Sequence, residues 1–197
     1  MVRVSFVLFP GFPMLAYALA REALDIANRV LGETMFTCDT RIPGHVDAIA
    51  SNGTVIAPDR ADWDGAETVD LVLVICGETA PARIPNGFQA YLTRVAQAGG
   101  RLGGVDTGTL ILARIGHLDG RRAVVVRAAG PSTAPLPPFP AIDLSTRPHV
   151  LDDQRLTVAG GVAVGDALCA WIAETATPAL ADEVAHALAT GRLRDRP

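Results

Sequence analysis

Apolar residues along this chain fall into two alternating patterns, short unbroken runs and longer stretches with helical spacing. Residues 3–9 are rich in Val and Phe and stop at Pro10-Gly11, which predicts a buried strand and a turn. Over 13–31 the spacing becomes helical: Leu15, Leu19, Ala23, Ile26, Ala27 and Val30 share one face, and Gly32 is the stop. Residues 35–40 predict a second short strand, followed by a turn at Ile42-Pro43-Gly44-His45. Within 50–59, Asn52-Gly53 marks a tight turn and Pro58 follows a short strand, so a small hairpin or an edge strand is expected. Residues 62–67 form a polar connection in which Trp63 is expected to pack.

Residues 70–76 (DLVLVIC) are continuous and apolar, as a central parallel strand buried on both faces should be, and they end at Gly77-Glu78. A helix is predicted over 85–98, with Phe88, Tyr91, Leu92 and Val95 on its apolar side and Gly99-Gly100 as its stop. In LGGVDTGTLIL (102–112) an apolar run halts at Asp106, passes through a small-residue turn and becomes helical. A strand-turn-helix elbow of this kind lifts one side chain out at the carboxyl end of a sheet, where ligands and catalytic groups collect. Asp106 would be the lifted residue, on the same sheet edge as Gly77-Glu78 if the two strands are parallel. Residues 122–127 (RAVVVR) predict a strand, and 129–140, with five of the 14 prolines, a long surface loop. A strand pair is expected over 149–152 and 155–158, then a helix opened by Gly160-Gly161 and a last one begun by Pro178. Strands alternating with helices indicate one doubly wound α/β domain over residues 1–197.

Composition narrows the function classes. Hydrophobic residues make up 49% and charged residues 19%, which argues against disorder. The net charge is −4 and all 17 basic residues are Arg, a balance without a nucleic-acid footprint; Arg192, Arg194 and Arg196 read as a solvated terminus. Three dispersed cysteines, Cys38, Cys76 and Cys169, suggest a reducing compartment, and no apolar run is long enough for a membrane span or a signal peptide. No pair among the four histidines has metal-ligand spacing. Cys76 reads as a buried strand residue rather than a nucleophile, because no base accompanies it. For Asp106 two compatible readings stay open, a helix N-cap and a pocket carboxylate. Glu22 is either an exposed helix charge or a pocket acid, and Gly160-Gly161 reads as close helix packing.

The segments FVLFPGFPMLAYALAREALDIANRVLG, ASNGTVIAPD, DLVLVICGE, GGVDTGTLILARIGHLDGRRA and LTVAGGVAVGDALCAWIAE run in order over nearly the whole chain. Together they resemble the class I glutamine amidotransferase-like superfamily, which includes the ThiJ/PfpI proteins. Within it they look most like the ligand-sensing N-terminal domain of AraC-type transcriptional regulators that answer to glycine betaine, carnitine or arginine. The resemblance implies a flavodoxin-like, mainly parallel sheet sandwiched by helices, often dimeric, with a ligand pocket at the elbow. In the superfamily's enzymes the elbow residue is a cysteine, its thiolate set near an acid from the first helix and near backbone N–H donors.

This chain departs from that pattern at several places. The elbow holds Asp106, and the position matching the helix acid is Leu19, while Glu22, one turn along, matches an acid typical of the betaine-type regulators. Cys76-Gly77-Glu78 stands where two glycines are usual, and Val126-Arg127-Ala128 where a His-Trp-Glu-like run is usual. The resemblance therefore implies a sensor that binds a small metabolite, a quaternary amine or amino acid, without turnover. Its expected ligand-binding residues are Asp106, Thr107, Glu22, Gly77 and Glu78, with no catalytic residue, metal or cofactor. A cytoplasmic homodimer is expected, reaching DNA only through a helix-turn-helix domain absent from this chain. The alternative is a hydratase-like or amidase-like enzyme of the ThiJ/PfpI kind, with Asp106 as base and water as nucleophile.

Overall fold

A computed structural model describes residues 1–44, 47–60, 63, 68–127 and 138–193. In chain order its elements are β1 (Val2–Leu8), α1 (Met14–Leu31), β2 (Phe36–Arg41), β3 (Ala48–Ile49), β4 (Val55–Ile56), β5 (Leu71–Cys76), α2 (Asn86–Gln97), β6 (Arg101–Asp106), α3 (Gly108–Arg114), β7 (Arg122–Ala123), β8 (Asp143–Leu144), β9 (His149–Leu151), β10 (Arg155–Val158), α4 (Ala163–Thr175) and α5 (Pro178–Thr190). Most of the expected Pro-rich loop lies outside the described residues, as do His45, Ala128, most of the connection over 62–67, and Arg194 and Arg196.

The main sheet has the order β2-β1-β5-β6-β10-β9, parallel throughout except for β9, which runs antiparallel to β10. Successive side chains of a strand point to opposite faces, so each inner strand feeds two cores. Phe6, Leu8, Leu73, Ile75 and Val105 pack under α1, α4 and α5, whereas Val7, Val72, Val74 and Leu102 pack under α2 and α3. All six residues of β5 are buried, as a centrally placed apolar run requires. Gly32 and Gly191 end α1 and α5 in left-handed conformations, and the Thr177 hydroxyl accepts the Leu180 N–H at the start of α5. The expected hairpin is present as β3 and β4, turning at Asn52-Gly53. Trp63 packs against the rings of Phe88 and Tyr91.

Two expectations need correction. The buried face of α1 is carried by Ala16, Tyr17, Ala20, Ala23, Leu24, Ile26 and Ala27, while Leu15 is 53% exposed. Tyr17 sets this rotation by hydrogen bonding the Thr40 hydroxyl of β2 and packing edge-on against Phe6 and Phe12. The run over 122–127 is strand only at Arg122–Ala123, which pairs with β8. Beyond that pair, the N–H groups of Val124 and Val126 donate to the hydroxyls of Thr157 and Thr109. Side-chain acceptors replace a strand ladder there, so the apolar residues form no sheet.

At the outer edge of the sheet, on the α2 side, lies a polar cluster built from β1 and β2. Arg41 is only 3% exposed and donates through Nε to the Ser5 hydroxyl at 3.1 Å and to Asp39 at 3.3 Å. Asp39 also accepts the Ser5 hydroxyl at 2.6 Å and pairs with Arg60 at 3.6 Å. The Arg41 guanidinium lies 4.9 Å from the centroid of the Tyr91 ring.

Candidate functional site: the elbow at Asp106

Strand β6 delivers Asp106 to the carboxyl edge of the sheet, opposite Cys76 at the end of β5. Asp106 has φ 55°, the one left-handed non-glycine residue among those described. An L side chain in this region costs about 1–3 kcal/mol and persists only where its surroundings fix it. Here small residues do the fixing. A Cβ on Gly108 would lie 2.1 Å from the Val74 carbonyl oxygen, and one on Gly77 would lie 2.0 Å from the Gly11 carbonyl oxygen. Neither position accepts any side chain, so α3 and the loop after β5 close tightly around the turn. On the remaining side Gly160, at φ 115°, sits with its would-be Cβ 3.5 Å from the Asp106 Cβ.

Two buried threonines complete the clamp. The Thr107 hydroxyl donates to the Gly77 carbonyl, and the Thr109 hydroxyl donates to the Asp106 carbonyl at 2.7 Å. Asp106 is not the N-cap of α3: that position is Thr107, with no side-chain cap bond. The Asp106 carboxylate stands half-buried, which pushes its pKa above the ordinary 3.8 against the pull of the neighbouring Thr107 N–H; the nearby Glu78 carboxylate pushes it further up. Among the described residues, the charge acting on Asp106 is thus another anion rather than a cation. Cys76 is fully buried, its thiol pKa is raised by that burial, and its Sγ donates to the Thr79 carbonyl at 3.7 Å. A buried, protonated thiol is inert as a nucleophile.

Asp106, Thr107, Gly77 and Glu78 therefore gather at one edge. Glu22 does not join them. It lies eight residues along α1 from Met14, about 12 Å down the helix axis from the carboxyl edge. Its carboxylate is paired with Arg29 at 2.7 Å, in a cleft between α1 and the end of α5 that Leu19 and Leu188 also line. Leu19 lines clefts shared with α4 and α5. Sequence reasoning missed Gly160 and Thr109. A Gly-Gly pair directly after a strand that ends at the ligand edge was the available signal for Gly160; Thr109, three residues past the elbow, carries no comparable mark. Among the described residues no group of three or more His, Cys, Asp or Glu side chains is disposed to hold a metal ion, and no helix is long and apolar enough to cross a membrane.

No family model matches the chain. It is 31% identical to the HTH-type transcriptional regulator CdhR of Pseudomonas aeruginosa over 191 residues, covering 97% of this chain and 56% of the relative. The chain is homologous to HTH-type transcriptional regulators. It spans about half the length of the curated relatives it matches. Among solved structures, an AraC family transcriptional regulator from Pseudomonas putida superposes with a TM-score of 0.83 at 21% identity, covering 95% of this chain and 100% of that one. A ThiJ/PfpI family protein from Pseudomonas syringae superposes with a TM-score of 0.75 at 18% identity, covering 100% of this chain and 77% of that one. The flavodoxin-like ThiJ/PfpI fold expected for this regulator homologue is the one it has.

Proposed function

We propose that this chain is the small-molecule-sensing domain of an AraC-type transcriptional regulator, binding a small metabolite at the elbow without turnover. The observation that carries this reading is the elbow itself: a strained, tightly clamped turn presents a carboxylate where the enzymes of the resembling superfamily present a thiolate. A carboxylate is a weak nucleophile but a good acceptor for a cationic or N–H-bearing head group, and Glu78 on the same edge adds a second negative charge. Asp106, Thr107, Gly77 and Glu78 form the proposed site, and a quaternary amine or amino acid is the proposed ligand class. Glu22, engaged with Arg29, is left out of it.

The regulator homology supports the further proposals that the domain works in the cytoplasm as a homodimer. DNA would be read by a helix-turn-helix unit outside these 197 residues. Ligand binding then acts by favouring one arrangement of the domain over another. A thermal-shift screen of quaternary amines and amino acids tests this: saturable stabilisation with the ligand recovered unchanged is expected. Consumption of the stabilising ligand would instead support the enzyme reading, which the raised Asp106 pKa favours, since it brings a carboxyl group closer to the range of a general base.

A further inference from the structure

One hydroxyl joins the elbow to the segment after β7. The fully buried Thr109 Oγ donates its only proton to the Asp106 carbonyl at 2.7 Å and accepts the Val126 N–H at 2.8 Å. The three groups form a directed chain, Val126 N–H to Thr109 O–H to Asp106 C=O, in which each bond polarises the next. Two residues earlier, the Val124 N–H is held at 2.9 Å by the Thr157 hydroxyl of β10, which takes no part in that hydrogen-bonded chain. Residues 124–127 belong to no strand, and these two hydroxyls anchor the backbone of a stretch that includes the exposed Arg127.

We propose that Thr109 is a positioning residue that transmits the state of the Asp106 elbow to residues 124–127, so that occupancy of the site is felt at the surface through Val126. The Asp106 peptide is the strained link of the turn, and a partner drawn to the carboxylate reorients that peptide before it moves the packed glycines around it. Any tilt of the Asp106 carbonyl weakens or strengthens its bond from Thr109, and the hydroxyl passes the change to the Val126 amide. Val124, anchored separately, stays as it was. A methyl group in place of the hydroxyl would cut the chain at both ends, while serine would keep it.

The proposal rests on the sensor reading for its meaning, yet its test uses no ligand, so failure here and failure of ligand binding are separate results. Amide hydrogen exchange and amide chemical shifts of Val124 and Val126 are measured in the 197-residue chain and in T109V, T109S, D106N and the two double variants. T109V should speed exchange at Val126 by about tenfold or more, with T109S restoring it. D106N should shift the Val126 amide in the Thr109 and T109S proteins, not in T109V, and should leave Val124 unchanged throughout. A D106N effect on Val126 that persists in T109V, or that is equal at Val124, overturns the proposal. Should T109V not fold, the contrast between Val126 and Val124 in D106N alone decides the matter.

Discussion

Asp106 and Asp39 are both carboxylates at the sheet, and the fold treats them in opposite ways. Asp39 is spent: Ser5, Arg41 and Arg60 occupy its oxygens, and in return it neutralises a guanidinium buried to 3% exposure. Among the described residues, the charge acting on Asp106 is an unfavourable anion, and its backbone is held in a conformation that costs energy. A carboxylate satisfied within the molecule explains itself by stability. One that is strained and half-desolvated adds nothing to folding, and the proposed ligand site gives it a role at the carboxyl edge of the sheet. Glu22 falls with Asp39 in this contrast, since Arg29 takes up its charge.

The packing around the two sites gives the largest expected effects. Gly108→Ala drives a Cβ into the Val74 carbonyl 2.1 Å away, where only backbone movement can relieve it, and should destabilise the protein by about 3 kcal/mol in urea unfolding. Asp39→Asn, which removes the charge opposite Arg41, should cost about 2 kcal/mol in the same assay. A neutral outcome there would mean that Asp39 is no more used by the fold than Asp106.

Substitutions at the elbow should run the other way. Asp106→Gly releases the left-handed strain and should stabilise the chain by about 1 kcal/mol. The pH dependence has a definite sign. A carboxyl whose pKa is raised on folding opposes folding when charged, so its penalty is complete above the folded pKa and disappears below the unfolded one, near 3.8. Asp106→Asn should therefore be more stable than the parent at neutral pH, with the gap closing as pH falls toward 3.8. A gap that widens on acidification would show that Asp106 is stabilised as the anion by partners in the fold. Smallest of all, Glu22→Gln breaks an exposed pair and should change stability by no more than about 0.5 kcal/mol, with ligand binding unaltered.

The elbow was legible in the sequence because its signals are local: an apolar run halted at Asp106, with Gly108 and the Gly77 loop where only small residues fit. The same holds for β5 and for the glycine stops after α1 and α2, whose pattern and punctuation lie within a few residues. What was not legible depends on distant partners. Leu15 matches the apolar spacing of α1 as well as Tyr17 does, yet the tyrosine's hydrogen bond to Thr40 decides which face is buried. The valines over 124–126 read as strand until Thr157 and Thr109 claim their N–H groups. Glu22 matches a position of the resembling regulators in sequence alone, and the helix rise puts it well below the site.

On the proposed reading, Asp106 is kept for a ligand rather than for the fold. The most direct test is ligand-induced thermal stabilisation of the parent chain and Asp106→Asn, measured side by side with the same series of quaternary amines and amino acids. A ligand that stabilises the parent is expected to lose that effect in the asparagine variant, while the unliganded variant melts no lower than the parent. Equal stabilisation of both proteins, or a variant that melts well below the parent without ligand, would contradict it.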